Sequence, residues 1–347
     1  METELYQEAR EKGNNYRKKM LRQLQQLIKQ KQKESELCRQ KFFQPDFSSP
    51  SAYRASLGRY RKKLRELLGW PLTWRVREKP RLLRRQKVGH DSLGLIERIW
   101  IDCGYGLTLY GLFFQPEKPG PGPLVISQHG GGGTPELTAG FFGSANYNDM
   151  TRRVLKQGVA VWAPQLFLWA KDFGPECDHF HLDRQLKHLG GSMAALEIYR
   201  LQRSLDVLLQ WPTVDRRKVG MIGLSYGGFY SLLLAALDTR VKVAVSSCYF
   251  NNRFLYDFSD WTWFNSASFF LDAEIAGLIC PRPLYLEVGK TDPMFLVKHA
   301  RAEARKVAGL YRRIGLFSNF RYREFDGTHE LDRAQDNINF LCQHLQD

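Results

Sequence analysis

The chain has 347 residues, of which 43% are hydrophobic and 13% aromatic, a composition that supports a sizeable packed core and excludes disordered or fibrous classes. Its net charge of +15 is concentrated at one end: residues 1–87 hold 24 basic and 9 acidic side chains, the remainder 27 of each. No leading apolar segment, no run of 18 apolar residues and no CxxC pair occur, which argues against a signal peptide and a membrane span and for six free thiols in a cytoplasmic protein.

Residues 1 to about 44 are predicted helical. Met20, Leu24, Leu27 and Ile28 recur on one face, with Lys, Arg and Gln elsewhere, and Gly13 with Asn14 and Asn15 interrupts the early part. This basic arm, residues 1–45, could contact nucleic acid or anionic lipid, but a solvated helical extension or an oligomer contact is the expectation. No RNA-recognition or zinc-finger pattern is present, so no specific nucleic-acid partner is expected. Phe43–Pro50 reads as a linker. A second helix over Ala52–Leu68, stopped by Gly69 and Pro71, forms a lead-in (residues 46–93) that packs on the body.

From residue 94 the pattern becomes that of a catalytic-size α/β domain, residues 94–347. Ile96–Ile101 and Leu107–Phe114 suggest an antiparallel pair turning at Cys103–Gly106, and Lys118–Pro123 a Pro/Gly loop. Strands are then predicted at Leu124–Ser127, Val159–Ala163, Val219–Leu224, Val241–Ser246, Leu284–Val288 and Phe320–Phe325. Helices are predicted at Asn148–Gln157, Ser192–Trp211, Tyr226–Leu237, Phe295–Ile314 and Leu331–Gln346. Short apolar strands alternating with longer helices indicate a mostly parallel central sheet covered on both faces.

The strongest motif is Gly223-Leu224-Ser225-Tyr226-Gly227-Gly228, a G-x-S-x-G with a strand before it and a helix after. That context lifts a serine hydroxyl off the sheet at a helix N-terminus, where negative charge is favoured. A serine needs a base. His329, after the last strand, is the candidate, because His299 and His344 lie inside predicted helices. The acid that orients it is expected on a loop between the two, and Asp292 follows the strand Leu284–Val288 by a short turn. Glu287, within that strand, and Asp326 are the rivals.

His129 followed by Gly130-Gly131-Gly132-Gly133 closes the strand Leu124–Ser127. Backbone amides of Gly131 or Gly132, with that of Tyr226, are the expected oxyanion donors. Candidate pocket walls are His129, Trp169, Trp261 and Trp263. Cys177, His179, His181 and His188 cluster in sequence but fit no closed tetrahedral spacing, so no metal is expected. No cofactor is expected either.

Together these residues resemble the dienelactone-hydrolase and acetyl-xylan-esterase-like branch of the α/β hydrolases. The resemblance covers roughly residues 50–347 and rests on Leu67-Leu68-Gly69-Trp70-Pro71-Leu72, the glycine loop, Val214-Asp215 before the elbow, and Ile279-Cys280-Pro281-Arg282-Pro283 before the acid strand. It implies an α/β-hydrolase fold and hydrolysis of small carboxylic esters, including acetyl esters on carbohydrate, without metal or organic cofactor. Dienelactone hydrolases proper carry a cysteine nucleophile where this chain has Ser225, and glucuronoyl-esterase relatives an arginine where it has Tyr226. Acyl transfer or peptide hydrolysis by the same three residues is the competing enzymatic expectation. An interaction protein docking through the arm is the non-enzymatic one.

Overall fold

The computed structural model describes residues 5–74, 78–117, 120–143, 145–175 and 177–346. Three helices come first: α1 (Asn14–Phe42), α2 (Pro50–Ser56) and α3 (Gly58–Leu68). An antiparallel trio follows: β1 (Arg81–Asp91), β2 (Gly94–Asp102) and β3 (Thr108–Pro116). The chain then alternates: β4 (Gly122–Gln128), α4 (Pro135–Thr138), α5 (Met150–Leu155), β5 (Ala160–Pro164), α6 (His179–His188), α7 (Met193–Leu208), β6 (Val214–Leu224) and α8 (Tyr226–Leu237). It closes with β7 (Val241–Ser247), α9 (Asp272–Gly277), β8 (Leu284–Gly289), α10 (Val297–Arg313), β9 (Phe320–Phe325) and α11 (Asp336–Gln346).

Among the described residues nine strands form one sheet, ordered β1-β2-β3-β5-β4-β6-β7-β8-β9. The pairs from β5 across to β9 are parallel, giving the predicted α/β architecture. Alternation along each strand sends side chains to two cores. Leu124 and Ile126 of β4 join a cluster with residues of α3, α7, α8 and α10, while Val125 faces the opposite cluster with α5 and α11. From β4 the chain goes to β5 on one side and returns to β6 on the other. The carboxyl end of β4 is therefore a topological switch point, where a crevice opens above the strand ends.

The lead-in helices are part of this body. Tyr53, Tyr60, Leu64 and Leu68 are buried, and Tyr53 Oη donates to Gly277 O at 2.9 Å. Arg61 and Arg65 donate to Ala236 O (2.9 Å) and Leu237 O (2.7 Å) at the end of α8, satisfying carbonyls that a helix C-terminus leaves without intrahelical partners.

Several expectations shift. The helix over Ala52–Leu68 is divided at Leu57, which caps α2. The final helix begins at Asp336 rather than Leu331, and α5 occupies only the middle of Asn148–Gln157. Of the Lys118–Pro123 loop, Lys118 and Pro119 lie outside the described residues, while Gly122 and Pro123 open β4. β1 and α6 were not anticipated. β1 is the outermost strand, exposed over most of its length and irregular in register at two places. All six cysteines are unbridged. Among the described residues no helix is long and apolar enough to cross a membrane.

Arg65→Ala removes a charged donor from the α8 terminus. It should lower stability by about 1.5–3 kcal/mol, read as a shift in the urea unfolding midpoint.

Candidate active site

The loops that leave the carboxyl ends of β4, β6, β7, β8 and β9 converge above the switch point. Ser225 follows β6 and is the N-cap of α8, at φ 58° and ψ −120°. A positive φ with that ψ costs a non-glycine residue on the order of 1–3 kcal/mol. Its amide donates to Ser247 O at 2.9 Å, and its carbonyl accepts from Phe229 at 3.0 Å. The flanking glycines are sterically obligatory. A Cβ on Gly223 would stand 2.3 Å from the Gly227 carbonyl, and one on Gly227 would stand 2.1 Å from Gln128 O.

His329 and Asp292 meet across 37 positions of sequence, His329 Nδ1 lying 2.9 Å from Asp292 Oδ2. The other carboxylate oxygen accepts the amides of Met294 (2.8 Å) and Phe295 (3.0 Å). Burial pushes the Asp292 pKa up, but His329 and these amides outweigh it and hold it below the ordinary carboxylate value. With an acceptor on Nδ1, His329 carries its proton there when neutral, which leaves Nε2 as the basic nitrogen. The ring is stacked on Phe295, centroids 5.6 Å apart at 21°. The hydroxyl of Ser225 and the imidazole of His329 are not hydrogen-bonded to each other in this structure.

The rival carboxylates go elsewhere. Glu287 is buried beside Asn337 Nδ2 (3.1 Å) and the Asp332 amide (3.2 Å), and its pKa is raised to about 7, chiefly by burial. Asp326 is exposed and pairs with Lys290. His299 and His344 lie within α10 and α11.

The two candidate glycines separate. The Gly132 amide is already given to Leu168 O at 2.6 Å. Gly130 donates to Tyr147 Oη at 2.8 Å and Gly133 to Gly130 O at 3.2 Å. Among the described residues the Gly131 amide has no such partner, and the Tyr226 amide is an open donor in the first turn of α8.

His129 is not a pocket wall. It is fully buried, Nδ1 lies 2.8 Å from Gly130 O, and Nε2 accepts from the Leu166 amide at 2.9 Å. Burial lowers its pKa to about 4, so it is a neutral brace between two loops. Trp261 and Trp263 are also core residues: Trp261 packs on Tyr226 at 4.9 Å between centroids, and Trp263 stacks on Phe229 at 6.4 Å. Of these four, Trp169 alone is not fully buried, being bridged to Gly132 and bonded to Pro175 O.

Of the Cys177–His188 cluster, His179 is engaged internally. Its Nδ1 lies 2.9 Å from Phe167 O and its Nε2 2.8 Å from Asp260 Oδ2, two acceptors that require both nitrogens to carry protons. Burial disfavours the charge, yet Asp260 prevails and the His179 pKa is raised. Tyr226 Oη donates to the remaining Asp260 oxygen at 3.2 Å. A buried ion pair thus holds the side chain of the residue after Ser225. His181 and His188 are exposed on α6.

Sequence reasoning missed several groups around the site. Cys248 follows β7 at φ 47°, and its Sγ, a carboxylate oxygen of Asp292 and a ring nitrogen of His329 all lie within 4.8 Å of one another. Asn146 Nδ2 reaches His329 O at 3.3 Å, Asn148 Nδ2 bonds Glu330 Oε2 at 2.9 Å, and the Leu331 amide bonds Asn146 O at 2.8 Å. The loop before α5 therefore braces the His329 loop and, through Tyr147, the glycine loop.

Residues 109–309 match the sequence model of the Dienelactone hydrolase family. A protein provisionally named hydrolase YtaP from Bacillus subtilis (strain 168) is 27% identical over 215 residues, 57% of this chain and 70% of that protein. Among solved structures, a protein provisionally named an acetyl xylan esterase from Bacteroides fragilis NCTC 9343 covers 88% of each chain at TM-score 0.63 and 15% identity. A glucuronoyl esterase from Solibacter usitatus covers 86% of this chain and 94% of its own at TM-score 0.66 and 15% identity. At such identities the structural likeness speaks for the fold.

Asp260→Asn should lower stability by about 3–5 kcal/mol by stranding a buried imidazolium, measured by chemical denaturation. Because the folded His179 pKa is raised, the deficit should be full below His179's ordinary value of 6.5. It should shrink as the pH rises through the raised value.

Proposed function

The chain belongs to the dienelactone hydrolase family and is a carboxylic-ester hydrolase, and we propose that it works through an acyl-enzyme on Ser225, with His329 as base and Asp292 as its orienting acid. The observation that carries this reading is the 2.9 Å contact between His329 Nδ1 and Asp292, formed at the strand ends where the strained Ser225 elbow also sits.

In the proposed cycle Ser225 Oγ attacks the ester carbonyl carbon as its proton passes to His329 Nε2. The Asp292 carboxylate stabilises the imidazolium. The tetrahedral oxyanion accepts from the amides of Gly131 and Tyr226, donors worth roughly 3–4 kcal/mol of barrier each, while the α8 N-terminus adds its partial positive charge. The alkoxide leaves with the proton returned from His329. Water, deprotonated by the same nitrogen, then releases the acid. No step calls for a metal or organic cofactor.

For the substrate we propose small acyl groups, acetyl esters on carbohydrate among them. The names of the Bacteroides and Solibacter proteins support a carbohydrate-borne ester, and Tyr226, buried and tied to Asp260, supports an acetyl rather than a glucuronoyl substrate. We further propose residues 1–45 as an arm, 46–93 as a lead-in and 94–347 as the catalytic domain.

Ser225→Ala should reduce p-nitrophenyl acetate hydrolysis to background and abolish fluorophosphonate labelling; retained labelling would refute the assignment. Asp292→Asn should lower kcat by about 10³–10⁴-fold with KM little changed, because the imidazole loses its anionic partner and its fixed tautomer.

A further inference from the structure

Helix α1 runs for 29 residues, yet Arg39 is its one buried residue. Arg39 makes an ion pair with Glu274 at 3.1 Å, so the helix is anchored near its C-terminal end. Along the remainder, Met20, Leu21, Leu24, Leu27 and Ile28 are each roughly half exposed or more. Their spacing gathers them into one stripe on the helix surface. Residues 14–33 also contain seven Lys or Arg and no Asp or Glu. Lys18, Arg22, Lys29 and Lys33 fall on the face opposite the stripe.

Charge decides among the possible occupants of this face. A second copy packed on the stripe would leave Lys18, Arg22, Lys29 and Lys33 of both helices without a counter-charge. It would also press Arg17 and Lys31, which lie within the stripe at the spacing of Met20, Leu24 and Leu27, into the seam. Nucleic acid would satisfy the cations and leave the leucines in water. An anionic bilayer meets both demands: apolar side chains enter the acyl boundary, cations meet the headgroups, and the long stems of Arg17 and Lys31 reach outward to phosphate.

The apolar surface continues from the arm toward the site. Leu27 and Ile28 share a cavity of about 590 Å³ with Phe254. The next residue, Leu255, shares one of about 630 Å³ with Phe180 and Met294, the latter two positions from Asp292. Phe254, Leu255, Met294 and Leu296 are 41–50% exposed. We propose that α1 and this rim form a peripheral docking surface for an anionic lipid membrane, with the mouth of the site facing it. The placement of the mouth rests on the assignment of Ser225 and His329; the docking does not.

The test is co-sedimentation of the full chain with phosphatidylcholine vesicles, with and without ~30 mole per cent phosphatidylglycerol. The wild type should pellet with the anionic vesicles alone, and less in ~0.5 M than in ~0.1 M NaCl. Leu24→Asp combined with Leu27→Asp, at exposed positions that leave the body intact, should weaken binding at least roughly tenfold with an unchanged melting curve. Three results would overturn the proposal. One is a double variant that pellets like the wild type. Another is a wild type that stays in the supernatant but elutes as a dimer that the double variant dissolves. The third is single-stranded DNA binding that matches vesicle binding and is untouched by the two aspartates. Fluorophosphonate labelling of the same samples bears on the esterase reading alone.

Discussion

One backbone conformation governs the rest: Ser225 held at a positive φ between a strand and a helix. Holding it there requires two glycines pressed against backbone carbonyls, a bond to the neighbouring strand β7 and a helix of unbroken burial behind it. The strain, on the order of 1–3 kcal/mol, is small beside the burial that α8 contributes with its run of Leu and Ala. The turn is rigid because those carbonyls belong to the first turn of α8 and to the end of the central strand β4.

A second level of organisation fixes the groups around that turn through charges buried in pairs. His179 and Asp260 sit under Tyr226. Arg253 and Asp272, with Tyr249 donating to Asp272 at 2.9 Å, tie together the long connection between β7 and β8. Such pairs contribute little net stability but strongly penalise arrangements that separate them. They suit a region that lacks regular secondary structure and must still present one geometry. The loop before α5 does the same with neutral groups, joining the glycine loop to the His329 loop through Tyr147, Asn146 and Asn148.

The alternating elements and the elbow were legible because their signals are local. The parallel strands read as short apolar runs, and the helix after Ser225 reads as Tyr226–Leu237 with the same bounds in the structure. The meeting of Asp292 with His329 was foreseeable because both sit on loops that leave the carboxyl ends of neighbouring parallel strands. β1 was not, since an edge strand with one mostly solvated surface carries Arg81, Arg84, Arg85 and Lys87 in place of apolar alternation. The bracing role of His129 and the core placement of Trp261 and Trp263 were also hidden. Both depend on which way a side chain turns off a loop, and that is settled by partners such as Leu166 and Phe229 far along the chain. Cys248 gave no signal, because what sets it apart is purely its position beside Asp292 and His329.

The outer strand β1 has one further consequence. It ends the sheet with a row of unpaired amides and carbonyls on its free side, the kind of border to which a stray strand from another molecule can add. Four cations and two breaks in register along that border make such addition electrostatically and geometrically costly. Part of the chain's excess positive charge thus protects it against aggregation, and does so independently of anything that happens at the opposite end of the sheet.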